Sequence, residues 1–423
     1  MTYLDTAFRI LSQPLGGILA IAVAIGTVIL VLTAFLMARD LGHRRLVWIS
    51  IVGWALSAGI AAPYLLAASR SESALGPYAV QQAILVFPAI GSDKYAGPIS
   101  AQIWFPVIRD LGQAPVLETC AQLQSQSLSN TGNPRRLLLY MPHFGSRRTD
   151  NTARLSYLAS YGYVAVAFDD IAQDAPLPSA TREDEEARLR MWHLSTQEEF
   201  DKTLRLDDIR VRRQAEKALS GLDRLAACAA GRFGLPWSRT IDYTHVGFLG
   251  YSFGGSTAAE AAVMDRRVVT VVNLDGNLFG QALAGRLTVP YLYLMSDRPF
   301  PTISSVMSTD ANERYGSRMD ARDRTEQARL AARQGSAGII IKGSVHSSFS
   351  DAVLEPHLSR LWILKNPIAF FNATNICTHQ FFDIHLRGHN DTSNDRFPPV
   401  NPVVRTFGAM GITPDKHFAS PPS

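Results

Sequence analysis

The sequence predicts an α/β protein built on a doubly wound, mostly parallel sheet, and two observations lead there. The first is a series of short apolar runs: Ala83–Phe87, Ala101–Phe105, Leu137–Tyr140, Val164–Phe168, Val246–Leu249, Val268–Leu274, Tyr291–Met295 and Gly338–Ile341. The central runs are continuous rather than alternating, as expected of strands buried on both faces of a parallel sheet. The second is that segments of helical pattern separate them, at Asn151–Ser160, Gln197–Leu225, Phe253–Met264, Asp320–Arg333 and Pro367–Leu386. Strand–helix alternation of this kind belongs to a doubly wound sheet.

Bulk composition narrows the function class. The chain has 423 residues, 47% apolar and 18% charged, with a net charge of +4. That supports a sizeable core and argues against extensive disorder. Basic residues such as Arg188, Arg190, Arg210, Arg212 and Arg213 are interleaved with acids, which reads as a solvated helix face and excludes a nucleic-acid stripe. Cys120, Cys228 and Cys377 have no metal-ligand spacing, and no C-x-x-C occurs. A Cys120–Cys228 disulfide is open from sequence.

The first seventy residues read differently. No charge occurs from Ile10 to Ala38 or from Leu46 to Ser69, and each run exceeds the ~20 apolar residues that cross a bilayer as a helix. Two transmembrane helices are therefore expected, at 14–37 and 46–68. The turn between them carries Arg39, Arg44 and Arg45, which places it in the cytoplasm and the rest of the chain on the far side. The expected organisation is a membrane anchor at 1–70, a catalytic domain at 71–395 and a proline-rich tail at 396–423 that runs over the surface. Within the domain, Asp170–Leu206 is long and charged at its centre, and reads as an insertion helix, a lid or a plain solvated helix.

The chemistry centres on Gly250-Tyr251-Ser252-Phe253-Gly254-Gly255, which follows Val246–Leu249 and opens a small-residue helix. G-x-S-x-G between strand and helix is a nucleophile elbow: the serine sits on a strained turn, and Gly250 and Gly254 leave room for it. The Phe253 N–H at the helix start can donate to a developing oxyanion. A general base should follow in chain order. His346, in the loop after Gly338–Ile341, fits that place, whereas His379, His385 and His389 lie in or beyond the last helix. Two acids end strand-like runs, Asp275 and Asp297, and their positions alone do not separate them. A second oxyanion donor should follow an early strand. Leu137–Tyr140 leads into Met141-Pro142-His143-Phe144-Gly145, which makes the Phe144 N–H the candidate and His143 part of the same loop.

These landmarks resemble the platelet-activating factor acetylhydrolases of the plasma and intracellular type II group. Gly76–Val80 and Ile103–Pro106 are similar to the family's G-P-Y-x-V and V-x-[VI]-W-Y-P stretches. Pro142–Arg147 resembles its [HP]-G-[FL]-G-x-x-R loop, Ser156–Tyr163 its L-A-S-H-G-[FY] segment, and Gly250–Gly255 its G-H-S-F-G-G elbow. Leu274-Asp275 matches L-D, Gly343–Asp351 matches G-[ST]-x-H-x-x-F-[AS]-D, and Cys377–Gly388 is also similar. The likeness spans residues 76 to 390 and departs from the pattern where His143 replaces a glycine and where the gap from Asp275 to His346 is longer. The resemblance implies an α/β-hydrolase fold, Asp275 as the acid of a Ser252–His346–Asp275 triad, and an oxyanion hole made by Phe144 and Phe253. It also implies hydrolysis of short-chain acyl esters, including those of phospholipids, with no metal or cofactor. The partners expected are an ester or lipid substrate and a membrane. Two alternatives stand beside this: a broader polyesterase of cutinase type using Asp297, and a catalytically silent, membrane-anchored binding module.

Overall fold

The computed structural model describes residues 76–88, 95–107, 135–227, 241–354, 367–388 and 404–406. Nearly all belong to a compact unit of Leu75–Val353 with Leu364–Ser423. The expected spans at 14–37 and 46–68, and both Cys120 and Cys228, lie outside the described residues. Among the described residues no helix is long and apolar enough to cross a membrane.

A nine-stranded sheet organises the unit. Its strands are β1 (Ala79–Phe87), β2 (Ile99–Val107), β3 (Arg135–Met141), β4 (Val164–Phe168), β5 (Ile241–Tyr251), β6 (Val268–Leu274), β7 (Tyr291–Ser296), β8 (Ala337–Ile341) and β9 (Val404–Thr406). The spatial order is β1-β2-β4-β3-β5-β6-β7-β8-β9. The strands from β4 through β3 to β8 pair in parallel, while the β1–β2 and β2–β4 pairs at one edge and the β8–β9 pair at the other are antiparallel. This is the expected α/β architecture, mostly parallel and flanked by helices. Leu137, Leu138, Leu139, Val164, Val166, Phe248, Leu249 and Val272 are all fully buried, so the continuous apolar runs reflect cover on both faces. Truncating one of them, as in Leu139→Ala, costs about 2–5 kcal/mol in transfer and cavity terms.

The longer helices are α1 (Thr152–Ser160), α2 (Arg182–Leu189), α3 (Gln197–Ala227), α4 (Phe253–Met264), α5 (Ala311–Ala331) and α6 (Pro367–Arg387). Ala215 and Leu219 of α3, Ala258 of α4 and Leu330 of α5 join Leu139, Val166, Phe248 and Tyr293 in one core cluster. The 31-residue α3 is strongly amphipathic, which is why so long a helix can lie along the sheet. On α1, Arg154 is fully buried and donates to Thr374 (3.1 Å) and Asn375 (2.6 Å) of α6.

Three expectations change. The helix expected from Asp320 begins at Ala311, because Asp310 caps it by accepting from the Glu313 N–H at 2.9 Å. The tail does not simply run over the surface, since Val404–Thr406 pairs with Ile339–Ile341 and extends the sheet past residue 395. Backbone pairing needs no apolar pattern, and the prolines at 398, 399 and 402 stop short of the paired residues. Finally, the charged run at Arg182–Glu186 is not merely solvated. It forms α2, started by a Thr181–Asp184 capping box and docked on α3 through Glu186–Lys202 (2.6 Å) and Asp184–Arg213 (2.9 Å).

Candidate active site

Every candidate residue lies at the carboxyl edge of the parallel strands: Phe144 after β3, Ser252 after β5, Asp275 after β6, Asp297 after β7 and His346 after β8. Ligand sites of open α/β sheets form at this edge. Ser252 has φ 55° and ψ −123°. A Cβ on Gly250 would lie 2.0 Å from the Gly254 carbonyl oxygen, and one on Gly254 would lie 2.0 Å from that of Met141. Both glycines of the G-x-S-x-G run are therefore required by backbone contact, and the second clears the path of the β3 loop beside the elbow.

Three of the candidate side chains meet. His346 Nε2 lies 3.0 Å from Ser252 Oγ, and His346 Nδ1 lies 2.7 Å from Asp275 Oδ2. The other oxygen of Asp275 accepts from the Ser296 N–H at 2.8 Å. Asp275 is 1% exposed, so its orientation is fixed by these partners and not by solvent. Ser252 and Asp275 are also the non-glycine residues with positive φ among those described, each at 55°. Non-glycine backbone held in that region costs of order 1–3 kcal/mol and concentrates at functional sites. The Asp275 N–H donates to Leu294 O at 2.7 Å and the Ser252 N–H to Leu274 O at 2.9 Å, so neighbouring strands hold both strained residues.

Asp297 has a different role in the geometry. Its Oδ2 accepts from the Gly343 N–H at 2.8 Å, and its own N–H donates to Ser344 O at 3.2 Å. It thus secures the loop that carries His346 rather than touching the imidazole. The Phe253 N–H is at the first position of α4, where no intrahelical acceptor exists. Phe144 and Phe253 meet edge to face with centroids 6.2 Å apart, and the Ser146 N–H closes a turn on His143 O at 3.0 Å.

Four further residues shape this site. Asp150 accepts from the Tyr140 hydroxyl at 2.5 Å and lies 2.8 Å from His143 Nδ1. Asp351 closes the G-x-x-H-x-x-F-x-D stretch. Its N–H donates to Asp150 O at 3.0 Å, and its Oδ2 accepts from the Ala153 N–H at 2.7 Å. Burial pushes the Asp351 carboxyl up to about 7. Arg154, lowered to about 10 by burial, donates to Phe349 O at 3.4 Å and so reaches the turn that starts at His346. Arg210 is the fourth: expected on a solvated helix face, it is fully buried on α3. Only the Asp of the F-S-D triplet carried a sequence signal, through the resemblance. Cys377 is buried and free, its thiol pushed up to about 12 by desolvation. Among the described residues no group of His, Cys, Asp and Glu could hold a metal ion.

Comparison with known proteins agrees with this architecture. The family profile for platelet-activating factor acetylhydrolase, isoform II, matches residues 116–396, well over half of the chain. Among solved structures, a ferulic acid esterase from Streptomyces cinnamoneus is similar at a TM-score of 0.50. The match covers 78% of this chain and 97% of that one at 19% identity, a likeness of fold. No curated protein matches. The chain belongs to the platelet-activating factor acetylhydrolase, isoform II, family and is an ester hydrolase of the α/β-hydrolase type.

Proposed function

We propose that the chain is a serine carboxylic-ester hydrolase that works through an acyl-enzyme. The observation that carries this reading is the continuous relay Ser252 Oγ–His346 Nε2–His346 Nδ1–Asp275 Oδ2, at 3.0 and 2.7 Å. His346 takes the Ser252 proton as the oxygen attacks the ester carbonyl, and then gives it to the departing alcohol. Asp275 holds the Nδ1–H tautomer and stabilises the imidazolium. The Phe144 and Phe253 amides receive the oxyanion of the tetrahedral intermediate, and water activated by His346 then releases the acyl group. Family membership supports short-acyl esters as substrates, those of phospholipids included. The contacts of Asp275 favour it over Asp297 as the acid. The uncharged runs before residue 70 support a membrane location, with the catalytic unit on the extracytoplasmic side.

The test uses the full chain in detergent, with p-nitrophenyl esters of increasing acyl length and a short-acyl phosphatidylcholine. Turnover and fluorophosphonate labelling that both vanish in Ser252→Ala are expected. A folded wild type with neither would overturn the proposal and favour a binding module.

A further inference from the structure

Arg210, in the middle of α3, is 0% exposed, and its guanidinium touches three separate parts of the fold. It lies over the Phe144 ring, 3.7 Å from the centroid, and 5.3 Å from that of Phe253. It pairs with the equally buried Asp170, just past β4. It also donates to Ala187 O at 3.0 Å and to Arg188 O, carbonyls in the last turn of α2 that have no helical partner of their own. The same segment holds the Phe144 turn from behind: the Asp170 N–H donates to Ser146 O at 3.1 Å and Gln173 Nε2 to Gly145 O at 2.6 Å.

We propose that Arg210 is a positioning residue for the oxyanion hole, and that through it the charged α2 segment is a working part of the active site. The inference rests on Phe144 and Phe253 being the oxyanion donors. A donor must hold its place within a few tenths of an ångström to act on an oxyanion, and Phe144 sits on a loop with no helix or strand of its own. A planar guanidinium stacked on its ring, anchored at the edges by a carboxylate and two carbonyls, supplies that constraint. A lysine keeps the charge but cannot stack and fork at once. Asp170 neutralises the charge, so the contribution is geometric.

Arg210→Lys and Arg210→Met in the full chain test this, with Arg224→Met as a control. Arg224 is another buried cation of α3, but it donates to the Pro88, Tyr95 and Gly97 carbonyls, away from the Phe144 turn. The readouts are kcat and KM on an acetate ester, affinity for a trifluoromethyl ketone that mimics the tetrahedral adduct, and the melting temperature. Both Arg210 variants should lose about 10- to 100-fold in kcat and in ketone affinity, with KM changed less than about threefold. Arg224→Met should melt earlier with kcat nearly unchanged. Removing one partner of a buried pair can prevent folding, in which case Arg210→Lys, which retains the pair with Asp170, decides. A folded Arg210→Lys with wild-type kcat and ketone affinity overturns the proposal, as does an equal kcat loss in Arg224→Met. Wild-type protein that neither turns over nor labels at Ser252 would overturn the parent reading instead.

Discussion

Two histidine–aspartate pairs flank Tyr251, whose ring lies 5.1 Å from that of His346 and 5.4 Å from that of His143. In both, Nδ1 faces a carboxylate oxygen, at 2.7 Å in His346–Asp275 and 2.8 Å in His143–Asp150. What differs is the surroundings. Asp275 is fully buried at its side chain, sits on strained backbone and is fixed by the Ser296 amide. Asp150 is also tied to Tyr140, and its pair has no nucleophile on the far ring nitrogen among the described residues. An oriented imidazole is thus common to both, and only the elbow serine turns one of them into a candidate for acyl transfer. Chain order made the same distinction, because His143 precedes Ser252 and His346 follows it.

The comparison can be broken most decisively at the two acids. Asp275→Asn should lower kcat about 10⁴-fold, the size of effect seen when a triad loses its carboxylate, while Asp150→Asn should cost less than about tenfold. Losses of equal size, measured with the same ester, would mean that both pairs serve the reaction. A smaller effect is expected at Asp297, whose carboxylate holds the Gly343 amide of the His346 loop. Asp297→Asn should cost no more than about tenfold, the worth of one hydrogen bond. A loss comparable with that of Asp275→Asn would revive Asp297 as the acid.

The smallest effect concerns Asp323, a buried carboxylate with no imidazole partner among the described residues, which burial pushes up to about 8. Its ordinary value in an unfolded chain is about 4. Between those pH values the folded chain holds a proton that the unfolded chain lacks. Stability from this residue therefore declines as pH rises from about 4 to about 8 and is level above that. Melting curves at pH 5 and pH 8 should show the wild type losing more stability than Asp323→Asn across the interval. Parallel losses would show that Asp323 does not carry the slope.

Much of the site was legible because its demands are local. The elbow needs glycines on either side of a strained serine, and the contacts at Gly250 and Gly254 bear that out at 2.0 Å. The base needs a loop at the end of a late strand, where His346 stands. The acid was not legible from spacing, since Asp275 and Asp297 both end strands. Only the resemblance favoured Asp275. Asp150 and Arg154 gave no signal of their own, and Arg210 read as part of a solvated helix face although it is fully buried, because what matters about them is which distant residue they meet. The same holds for α2: its charges left an insertion helix, a lid and a plain solvated helix open, and what they do is pair with Lys202 and Arg213 on α3.

The sequence by itself determined the parallel core and singled out the candidate nucleophile and base, since continuous apolar runs, a glycine-flanked serine and chain order are properties of neighbouring residues. Tertiary structure decided which carboxylate meets His346, 71 residues away in the chain. It also decided that Arg210 lies against Phe144 and Asp170. Those pairings are distances through space, fixed by how the strands and helices pack, and no local pattern of residues encodes them.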